Sequence, residues 1–464
     1  MNSLEFNKLL LKNFKLEPTK DQSLAIQSVS EFLFNKNKVS IFLLKGYAGT
    51  GKTTLMKTFV ENLHHNKMNF SLLAPTGRAA KVLSKYTERN SSTIHKKIYY
   101  SKVDKSGNFI STLKINKKKN TVFIVDEASM ISDFSNSNDL FKKNSLLKDL
   151  IDFIDFKTNS KLIFIGDTAQ LPPVNQTISP ALDSEFLQNT YNIKINEYEI
   201  TEVVRQSEES GILFNATAIR NSIISDDLDF QFKKFADIIS LSDGFEIQES
   251  IEKSFSEIGR DNSIIIVRSN KRANQYNQQI RKTILSHDHK VCSGDLLMIT
   301  KNNYFWSSSD AEIPFLANGD IIEILEIHRI RELYGFEFAE VKIKMIDYTN
   351  QPPFDTIIIL NTLDSELPSL SYDQSNLMYH EVQKDYSNIK SKYKRFLKTK
   401  ENPFFNALHV KFSYAITCHK AQGGQWPVVF IEKPYLKDGP DLDYMRWLYT
   451  AITRAESKLY LIGF

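Results

Sequence analysis

The amino-acid sequence predicts an α/β protein with two α/β domains and a β-rich insertion in the second. Short apolar runs alternate with helical or glycine-rich segments, a pattern typical of buried parallel strands with helices on both faces of the sheet. A phosphate-loop motif directly follows the first of these runs. A series of β-type segments then interrupts the second α/β pattern, as expected of a small antiparallel barrel.

The first α/β pattern occupies about the first two hundred residues. Its apolar residues are continuous and not alternating, which predicts strands that are buried on both faces. The predicted strands are 39–44 (VSIFLL), 71–74 (SLLA), 121–125 (TVFIV) and 161–166 (KLIFIG). A helix that begins after Thr19 and runs to about Phe34 precedes the first strand.

The second α/β pattern begins with a predicted strand at 262–267 (NSIIIV) and a helix at 271–285. The β-type segments lie at 294–300, 318–327, 336–346 and 355–360, and a lysine- and tyrosine-rich helical piece follows at about 367–400. The α/β pattern resumes with a strand at 427–432, a helix at about 441–453 and a strand at 458–463. We therefore expect an insertion at about 291–409.

Length and composition are those of a globular protein. The 464 residues, 41% hydrophobic and 12% aromatic, are enough for two to four domains with sizeable cores. Two widely spaced cysteines, with no signal peptide or transmembrane run, predict a soluble cytoplasmic protein. The net charge of +4 is too small to imply a polyanion partner. The basic runs 114–119 and 390–400 are interpreted as solvated faces, with a polyanion contact as the alternative.

The strongest single motif is 46-GYAGTGKTT-54, which lies between a predicted strand and a predicted helix. Glycines allow the backbone N–H groups of such a loop to turn inward around a phosphate, and the helix N-terminus adds positive potential. Lys52 is placed to reach the β- and γ-phosphate oxygens, and the Thr53 hydroxyl is a candidate Mg²⁺ ligand. The predicted nucleotide-binding residues here are Gly46, Ala48, Gly49, Thr50, Gly51, Lys52, Thr53 and Thr54.

Polar residues at the ends of neighbouring strands extend this site. Asp126 and Glu127 end the strand 121–125, so Asp126 is a candidate Mg²⁺ ligand and Glu127 a candidate base for the attacking water. Gln170, after the strand 161–166, is a candidate sensor of the γ-phosphate, with a simple proline-closed turn as the alternative. Gln22 fits both an adenine contact and a capping box with Thr19, and spacing leaves the two readings open.

Two arginines lie beyond the first α/β pattern at places from which they could reach a γ-phosphate. Arg205 lies in 201-TEVVRQ-206, where the first α/β unit ends, and Arg454 lies just after the predicted helix at about 441–453. Phosphoryl transfer to water needs positive charge at the γ-phosphate, so both are predicted to act across a cleft between the two domains. Each arginine alone also fits an ordinary salt bridge.

The stretch 417-TCHKAQGGQW-426 places Cys418 beside His419 and Lys420. From the residues alone it could be a thiol nucleophile with its base, a metal site or a segment without covalent chemistry. The chain has two cysteines, Cys292 and Cys418, so the first two readings require distant partners.

The motifs together resemble superfamily 1 helicases, in particular the RecD-like and Dda-like branch that moves 5′ to 3′ on single-stranded DNA. The segments that carry the resemblance occur in the family's order: GYAGTGKTT, APTGRAAKVL, STIH, VDEASM, GDTAQLPPV, TEVVRQ, TCHKAQGGQ and YTAITRA. The resemblance implies two RecA-like P-loop NTPase domains with a β-hairpin insertion in the first and an SH3-like barrel in the second. The implied boundaries are 1–96 and 121–200 for domain 1A, 97–120 for hairpin 1B, 201–290 and 410–464 for domain 2A, and 291–409 for insertion 2B with its helical extension.

The resemblance also implies a binding path for a nucleic-acid strand. It further implies that the TCHKAQG segment is a loop at the domain cleft. The residues implied to contact nucleic acid are Pro75, Thr76, Arg78, Thr93, His95, Phe109, Thr417, His419 and Lys420. Gln422 and Gly423 would lie toward the nucleotide, while thiol catalysis at Cys418 is not implied. Phe109, near the hairpin tip, would stack on the first base pair of a fork. A helix cap at Thr93 and a packed imidazole at His95 remain alternatives. Phe404 and Phe405 are interpreted as core residues, with a position along the path of the nucleic-acid strand as the alternative.

The activity implied by the resemblance is that of an ATP-dependent DNA helicase. ATP and Mg²⁺ are the expected cofactors, and single-stranded and forked duplex DNA are the expected partners of a monomer that does not bind membranes. The alternative is an RNA-directed or branch-migrating translocase, which would use the same two ATP-hydrolysing domains. A P-loop phosphotransferase acting on a small molecule and a non-catalytic nucleic-acid binder are less consistent with the paired arginines and the complete phosphate site.

Overall fold

A computed structural model describes residues 1–35, 39–66, 68–103, 109–133, 145–154, 156–204, 210–306, 315–348 and 351–464. Its helices are α1 Ser3–Asn13, α2 Lys20–Phe34, α3 Lys52–Asn62, α4 Gly77–Thr87, α5 Ile94–Ile98, α6 Leu146–Phe153, α7 Ser184–Tyr191, α8 Gly211–Ser225, α9 Gly244–Glu257, α10 Asn270–Gln279, α11 Tyr372–Lys384, α12 Lys392–Lys400, α13 Cys418–Ala421 and α14 Leu442–Ile452. Its strands are β1 Val39–Gly46, β2 Asn69–Ala74, β3 Ser91–Thr93, β4 Tyr99–Val103, β5 Phe109–Leu113, β6 Thr121–Val125, β7 Lys161–Gly166, β8 Lys194–Ile200, β9 Ile238–Leu241, β10 Ser263–Val267, β11 Leu296–Ile299, β12 Ile321–Leu333, β13 Phe336–Met345, β14 Phe354–Ile359, β15 Leu408–Phe412, β16 Ala415–Thr417, β17 Trp426–Glu432 and β18 Ala455–Ile462.

The first α/β unit is built on a parallel sheet with the strand order β3-β2-β6-β7-β1-β8. The four predicted strands occupy its centre, and β6 and β7 are buried along their whole length. The strands that sequence reasoning did not identify, β3 and β8, lie at the two edges. β8 consists of exposed and half-buried residues up to the buried Ile200, so its sequence lacks the continuous apolar run of a central strand.

The second α/β unit is a parallel sheet with the order β16-β10-β17-β18-β9. The predicted strands at 262–267, 427–432 and 458–463 form its centre as β10, β17 and β18. The predicted helix at 271–285 is α10 followed by a π-helical turn, Ile280–Ile284. Helix α14 packs on this sheet and carries the segment that ends at Arg454.

The predicted β-rich insertion is a closed five-stranded barrel, β11 to β15. Its neighbouring strands are antiparallel except β14 and β15, which run parallel. The helical piece forms α11 and α12, and Met378 and Val382 of α11 pack into an apolar cluster with Phe338 of the barrel. Phe404 and Phe405 pack against the same cluster, which supports their interpretation as core residues.

The fold class predicted from the sequence is confirmed, including the hairpin and the barrel. Strands β4 and β5 form an antiparallel hairpin in which Val103 pairs with Phe109. Its tip, 104–108, lies outside the described residues. The barrel strand β15 begins at Leu408 and ends at Phe412, so it continues past the expected end of the insertion at residue 409. The exact domain boundaries remain predictions.

Candidate nucleotide and nucleic-acid site

The phosphate loop lies between β1, which ends at Gly46, and α3, which begins at Lys52. Gly51 caps α3 with a φ of 81°, a left-handed conformation that favours glycine. A Cβ atom at this position would lie 2.4 Å from Nε2 of Gln22. The glycine therefore serves both the turn and the close approach of a side chain from α2.

Two polar side chains hold this loop from within. The Lys52 ammonium donates to the carbonyl oxygens of Gly46 at 2.7 Å and Tyr47 at 2.8 Å. Gln22 donates from Nε2 to the Thr50 carbonyl at 2.9 Å and also completes a capping box with Thr19. The capping interpretation of Gln22 is confirmed, and its side chain additionally braces the phosphate loop. An adenine contact by this buried residue remains a prediction.

The acid pair lies beside the loop, at the carboxyl end of β6. The backbone N–H of Asp126 donates to the Leu73 carbonyl at 3.0 Å, which places this residue at the edge of the sheet. Burial and then the neighbouring charge of Glu127 raise the pKa of Asp126 above its usual value, and the Lys52 ammonium opposes this effect. Glu127 has a φ of 52°, a conformation uncommon outside glycine. Strained backbones of this kind cluster at functional sites.

A second loop, which follows β7, is held by hydrogen bonds from the second α/β unit. The Tyr449 hydroxyl donates to Oδ2 of Asp167 at 2.8 Å and accepts from the Ala48 N–H at 2.9 Å. Thr450 accepts from the N–H of Leu171 at 2.8 Å, and Nε2 of Gln422 donates to the Leu171 carbonyl at 2.9 Å. Side chains of the second α/β unit thus bind two loops of the first.

Tyr449 and Thr450 were missed by sequence reasoning. Both lie in the YTAITRA segment, in which only the arginine was selected. Their position on the same helix, within five residues of Arg454, was the signal that could have pointed to them. Burial raises the pKa of Tyr449 well above its usual value, so its hydroxyl remains neutral and can donate and accept at once.

Arg454 borders the same cleft as Lys52, Asp126, Glu127 and Gln170. The cleft has a volume of about 1510 Å³ and also includes Thr53, Gly423 and Arg78 in its walls. The buried Arg454 guanidinium donates to the carbonyl oxygens of Thr450 at 3.0 Å and Gly424 at 3.3 Å. Arg205, the other predicted arginine, lies outside the described residues.

The residues of this cleft fit a magnesium nucleotide. Gln170 is 7% exposed, and its Oε1 has no hydrogen-bond partner among the described residues, so a polar acceptor is available at the cleft wall. Thr53 and Asp126 supply the hard oxygen donors that Mg²⁺ prefers. A divalent cation would also favour the ionised form of Asp126, whose pKa is otherwise raised by burial.

The TCHKAQG segment forms β16, the short helix α13 and the start of the following loop. Cys418 is fully buried, its Sγ lies 3.6 Å from the Trp447 carbonyl, and burial raises the pKa of its thiol to about 12. A nucleophilic thiolate is therefore not supported. His419 is exposed, and Lys420 donates to Oδ1 of Asn318 in the barrel at 3.2 Å.

On the first unit, two threonine hydroxyls that were predicted to contact nucleic acid each cap the start of a helix. Thr76 accepts from the Ala79 N–H at the start of α4, and Thr93 accepts from the Lys96 N–H at the start of α5. Thr93 is 1% exposed, so the helix-cap alternative is the one that its burial supports. Pro75 and His95 are half-buried, and the His95 ring centroid lies 5.9 Å from that of Tyr99.

Arg78 lies in the cleft wall, where it packs against the second α/β unit. Its guanidinium carbon is 4.3 Å from the centroid of the Trp426 ring, and burial lowers its pKa. Nη1 of this arginine has no hydrogen-bond partner among the described residues. A buried cation with an unpaired donor is suited to an anionic group, so a phosphate contact by Arg78 remains a prediction.

Helix α4 also docks on the barrel. Lys81 forms an ion pair with the fully buried Asp320, and its ammonium lies 4.0 Å from the centroid of the Tyr348 ring. A Cβ atom at Gly77 would lie 1.9 Å from Cβ of Ala317. Helix α4, which follows the segment predicted to bind nucleic acid, is therefore in contact with the insertion of the second α/β unit.

Comparisons with known proteins match two separate parts of the chain. A family described as AAA domain matches residues 20–233, and one described as UvrD-like helicase C-terminal domain matches residues 412–462. The first match contains the phosphate loop and the second contains the segment ending at Arg454. Among the described residues, every helix is too short or too polar to cross a membrane.

Several individual proteins are similar over most of the chain. The ATP-dependent DNA helicase dda of Enterobacteria phage T4 is 26% identical over 92% of this chain and 95% of its own length. An uncharacterized protein of Acanthamoeba polyphaga mimivirus is 26% identical over 94% of this chain and 98% of its own. The ATP-dependent RecD2 DNA helicase of Deinococcus radiodurans is 29% identical over 37% of this chain and 21% of its own. The crystal structure of Pif1 helicase from Bacteroides in complex with ADP-AlF3 and ssDNA has a TM-score of 0.49 at 15% identity, covering 97% of this chain and 93% of that chain.

Proposed function

We infer that this chain, whose resemblance to the superfamily 1 helicases of the RecD-like and Dda-like branch is confirmed, is an ATP-dependent DNA helicase. It moves 5′ to 3′ on single-stranded DNA and unwinds duplex. The observation that carries this function is the single cleft bordered by Lys52 and the acid pair from one sheet and by Arg454 from the other. A nucleotide site completed by two α/β units can convert hydrolysis into their relative movement.

Mg²⁺-ATP supplies the phosphoanhydride bond whose hydrolysis drives this movement. We propose that Lys52 leaves its two carbonyl partners to hold the β- and γ-phosphate oxygens, while Thr53 and Asp126 hold Mg²⁺. Glu127 orients a water molecule and accepts its proton. Gln170, whose Oε1 has no hydrogen-bond partner among the described residues, helps to align this water.

The positive charge for the transition state comes from the second unit in this proposal. Arg454 exchanges its carbonyl partners for the γ-phosphate oxygens, and Arg205 is proposed for the same task. Gln422 and Thr450, which both bind Leu171, keep the loop after β7 in contact with the second unit. A change at the phosphate site is thereby transmitted between the sheets.

The single strand is proposed to run across both units beside the barrel. Pro75, Thr76 and His95 offer contacts on the first unit, and Thr417, His419 and Lys420 offer contacts on the second. Contacts of this type bind phosphates without reading sequence. Lys420 already contacts Asn318, so the barrel borders the same path.

We also propose that the protein works as a cytoplasmic monomer on single-stranded and forked DNA. Both cysteines are unpaired, as expected in a reducing compartment. The cleft is bordered by both α/β units of one chain, so a second copy is not needed to complete it.

The test is strand displacement on matched duplexes that carry either a 5′ or a 3′ single-stranded tail, with and without ATP. We expect ATP-dependent displacement of the 5′-tailed substrate. Lys52→Ala should lose ATP hydrolysis and displacement but retain binding of the single strand, because the lysine lies at the phosphate loop. Displacement of the 3′-tailed duplex alone would refute the direction, and undiminished hydrolysis by Lys52→Ala would refute the assigned site.

A further inference from the structure

The Tyr449 hydroxyl binds the phosphate loop from the second α/β unit. Tyr449 is on α14 and is 1% exposed, and its oxygen accepts from the Ala48 N–H at 2.9 Å. Ala48 is the third residue of the GYAGTGKTT loop, whose backbone amides are the groups that cradle phosphates. The same hydroxyl donates its proton to Asp167, so its donor and acceptor capacities are both in use.

A phosphate oxygen and this hydroxyl would compete for one donor. The Ala48 amide has a single hydrogen, and the tyrosine oxygen occupies the direction in which it donates. A phosphate that takes this amide must therefore displace the Tyr449 oxygen. The hydroxyl retains Asp167 as an acceptor, so the exchange leaves it with a partner.

We propose that Tyr449 is a phosphate-sensing positioning residue, which tethers the phosphate loop to α14 and releases it when a nucleoside triphosphate binds. The inference rests on the nucleotide site proposed above and adds a step that links occupancy of that site to the second α/β unit. Tyr449, Thr450 and Gln422 make four hydrogen bonds to the first α/β unit among the described residues, and of these only the bond of Tyr449 to Ala48 touches the phosphate loop.

The release would act on the arginine that completes the site. Arg454 donates from Nε to the carbonyl of Thr450, the residue next to Tyr449. After loss of the Tyr449 bond to the phosphate loop, this end of α14 stays attached to the loop after β7 through Asp167 and Leu171, so the two can move together relative to the phosphate loop. Tyr449 therefore couples the arrival of a phosphate to the position of Arg454.

Tyr449→Phe separates sensing from an ordinary structural role. The ring is kept and the hydroxyl removed, so a nucleotide no longer has to displace it, and nucleotide affinity should rise. The gain corresponds to one net hydrogen bond, about 2- to 12-fold in the dissociation constant. A tyrosine that merely supported the active conformation of the loop would instead weaken nucleotide binding when its hydroxyl was lost.

The experiment is a titration of the full chain with a fluorescent, non-hydrolysable ATP analogue in the absence of DNA. The matched control is Tyr444→Phe, on the same helix and 5% exposed, which is the same substitution away from the phosphate loop. Thermal unfolding of all three proteins establishes that each is folded at the assay temperature. We expect tighter binding by Tyr449→Phe, unchanged binding by Tyr444→Phe, and a lower DNA-stimulated turnover number in Tyr449→Phe alone.

Unchanged or weaker nucleotide binding by Tyr449→Phe would overturn the inference, and so would an equal change in Tyr444→Phe. Failure of the proposed function looks different. If the parent binds the analogue but single-stranded DNA does not stimulate hydrolysis, the helicase activity is refuted while the titration still decides the role of Tyr449. If the parent binds no nucleotide, both the site and the inference fail.

Discussion

Gly77→Ala tests whether the docking of α4 on the barrel stabilises this protein. Gly77 is the first residue of α4, and an added Cβ would lie 1.9 Å from Cβ and 3.1 Å from Cα of Ala317. Carbon atoms in contact prefer a separation of about 3.5–4 Å, so the helix and the loop would have to move apart by about 2 Å. The contact involves a short loop backbone, which cannot simply rotate away as a flexible side chain would.

The expected loss of stability has two sources. Overpacking of this kind typically costs about 1–3 kcal/mol. The separation also weakens the ion pair between Lys81 and Oδ2 of Asp320, one turn along α4, and Oδ1 of this buried carboxylate has no partner among the described residues. Removing one partner of a buried ion pair lowers stability by about 3–5 kcal/mol, and partly separating the two partners lowers it by less. We therefore expect unfolding free energy to fall by about 2–4 kcal/mol.

Chemical denaturation of the parent and four variants, namely Gly77→Ala, Ala317→Gly, the two together and a control, provides the measurement. Gly244→Ala is the control, because Gly244 is likewise the first residue of a helix, but a Cβ atom added there would meet no atom within 4 Å. It should change stability by no more than about 1 kcal/mol. Gly77→Ala with Ala317→Gly should recover part of the loss, with a coupling energy of at least about 0.5 kcal/mol. The reasoning fails if Gly77→Ala lowers the free energy of unfolding no more than the control does. It also fails if the effects of Gly77→Ala and Ala317→Gly are simply additive.

Two further predictions concern the hairpin and the barrel. Phe109→Ala should slow unwinding of forked DNA while DNA-stimulated ATP hydrolysis is retained, since a stacking contact is worth about 1–3 kcal/mol; equal unwinding rates would contradict the proposed pin. Burial lowers the pKa of His409 to about 3, so the unfolded chain binds a proton at a higher pH than the folded one. Stability should therefore be lost as pH falls from about 6.5 to 3, by at most about 5 kcal/mol. His409→Gln should reduce this loss in pH-dependent unfolding, and the same reduction with the exposed His380→Gln would refute the assignment.

Local patterns were sufficient for the centres of both sheets and for the phosphate loop. The central strands β1, β6, β7, β10 and β17 are continuous apolar runs because both of their faces are covered. The edge strands β8 and β9 were not identified, since half-exposed residues break up such runs. The GYAGTGKTT segment predicts its own geometry because its glycines and the helix start are adjacent in the chain.

Some features of the candidate site could likewise be predicted from the sequence, and others could not. Lys52, Asp126, Glu127, Gln170 and Arg454 could be selected from motifs, and the structure places all five along one cleft. The capping of α2 by Thr19 and Gln22 was visible from their spacing, because a capping box is a local interaction. The hydrogen bond from the Gln22 side chain to the Thr50 carbonyl joins residues far apart in the chain and was not predicted.

The sequence by itself determined the chemistry of this protein: a phosphate loop, an acid pair at a strand end, and an arginine after a helix. Only the tertiary structure decided which groups satisfy one another, as in the contact of Tyr449 with Ala48 and the docking of Gly77 on Ala317. The physical reason is that motifs and periodicity report on neighbours along the chain. The partners of a buried hydroxyl or a helix-starting glycine are set by how two sheets and a barrel pack together.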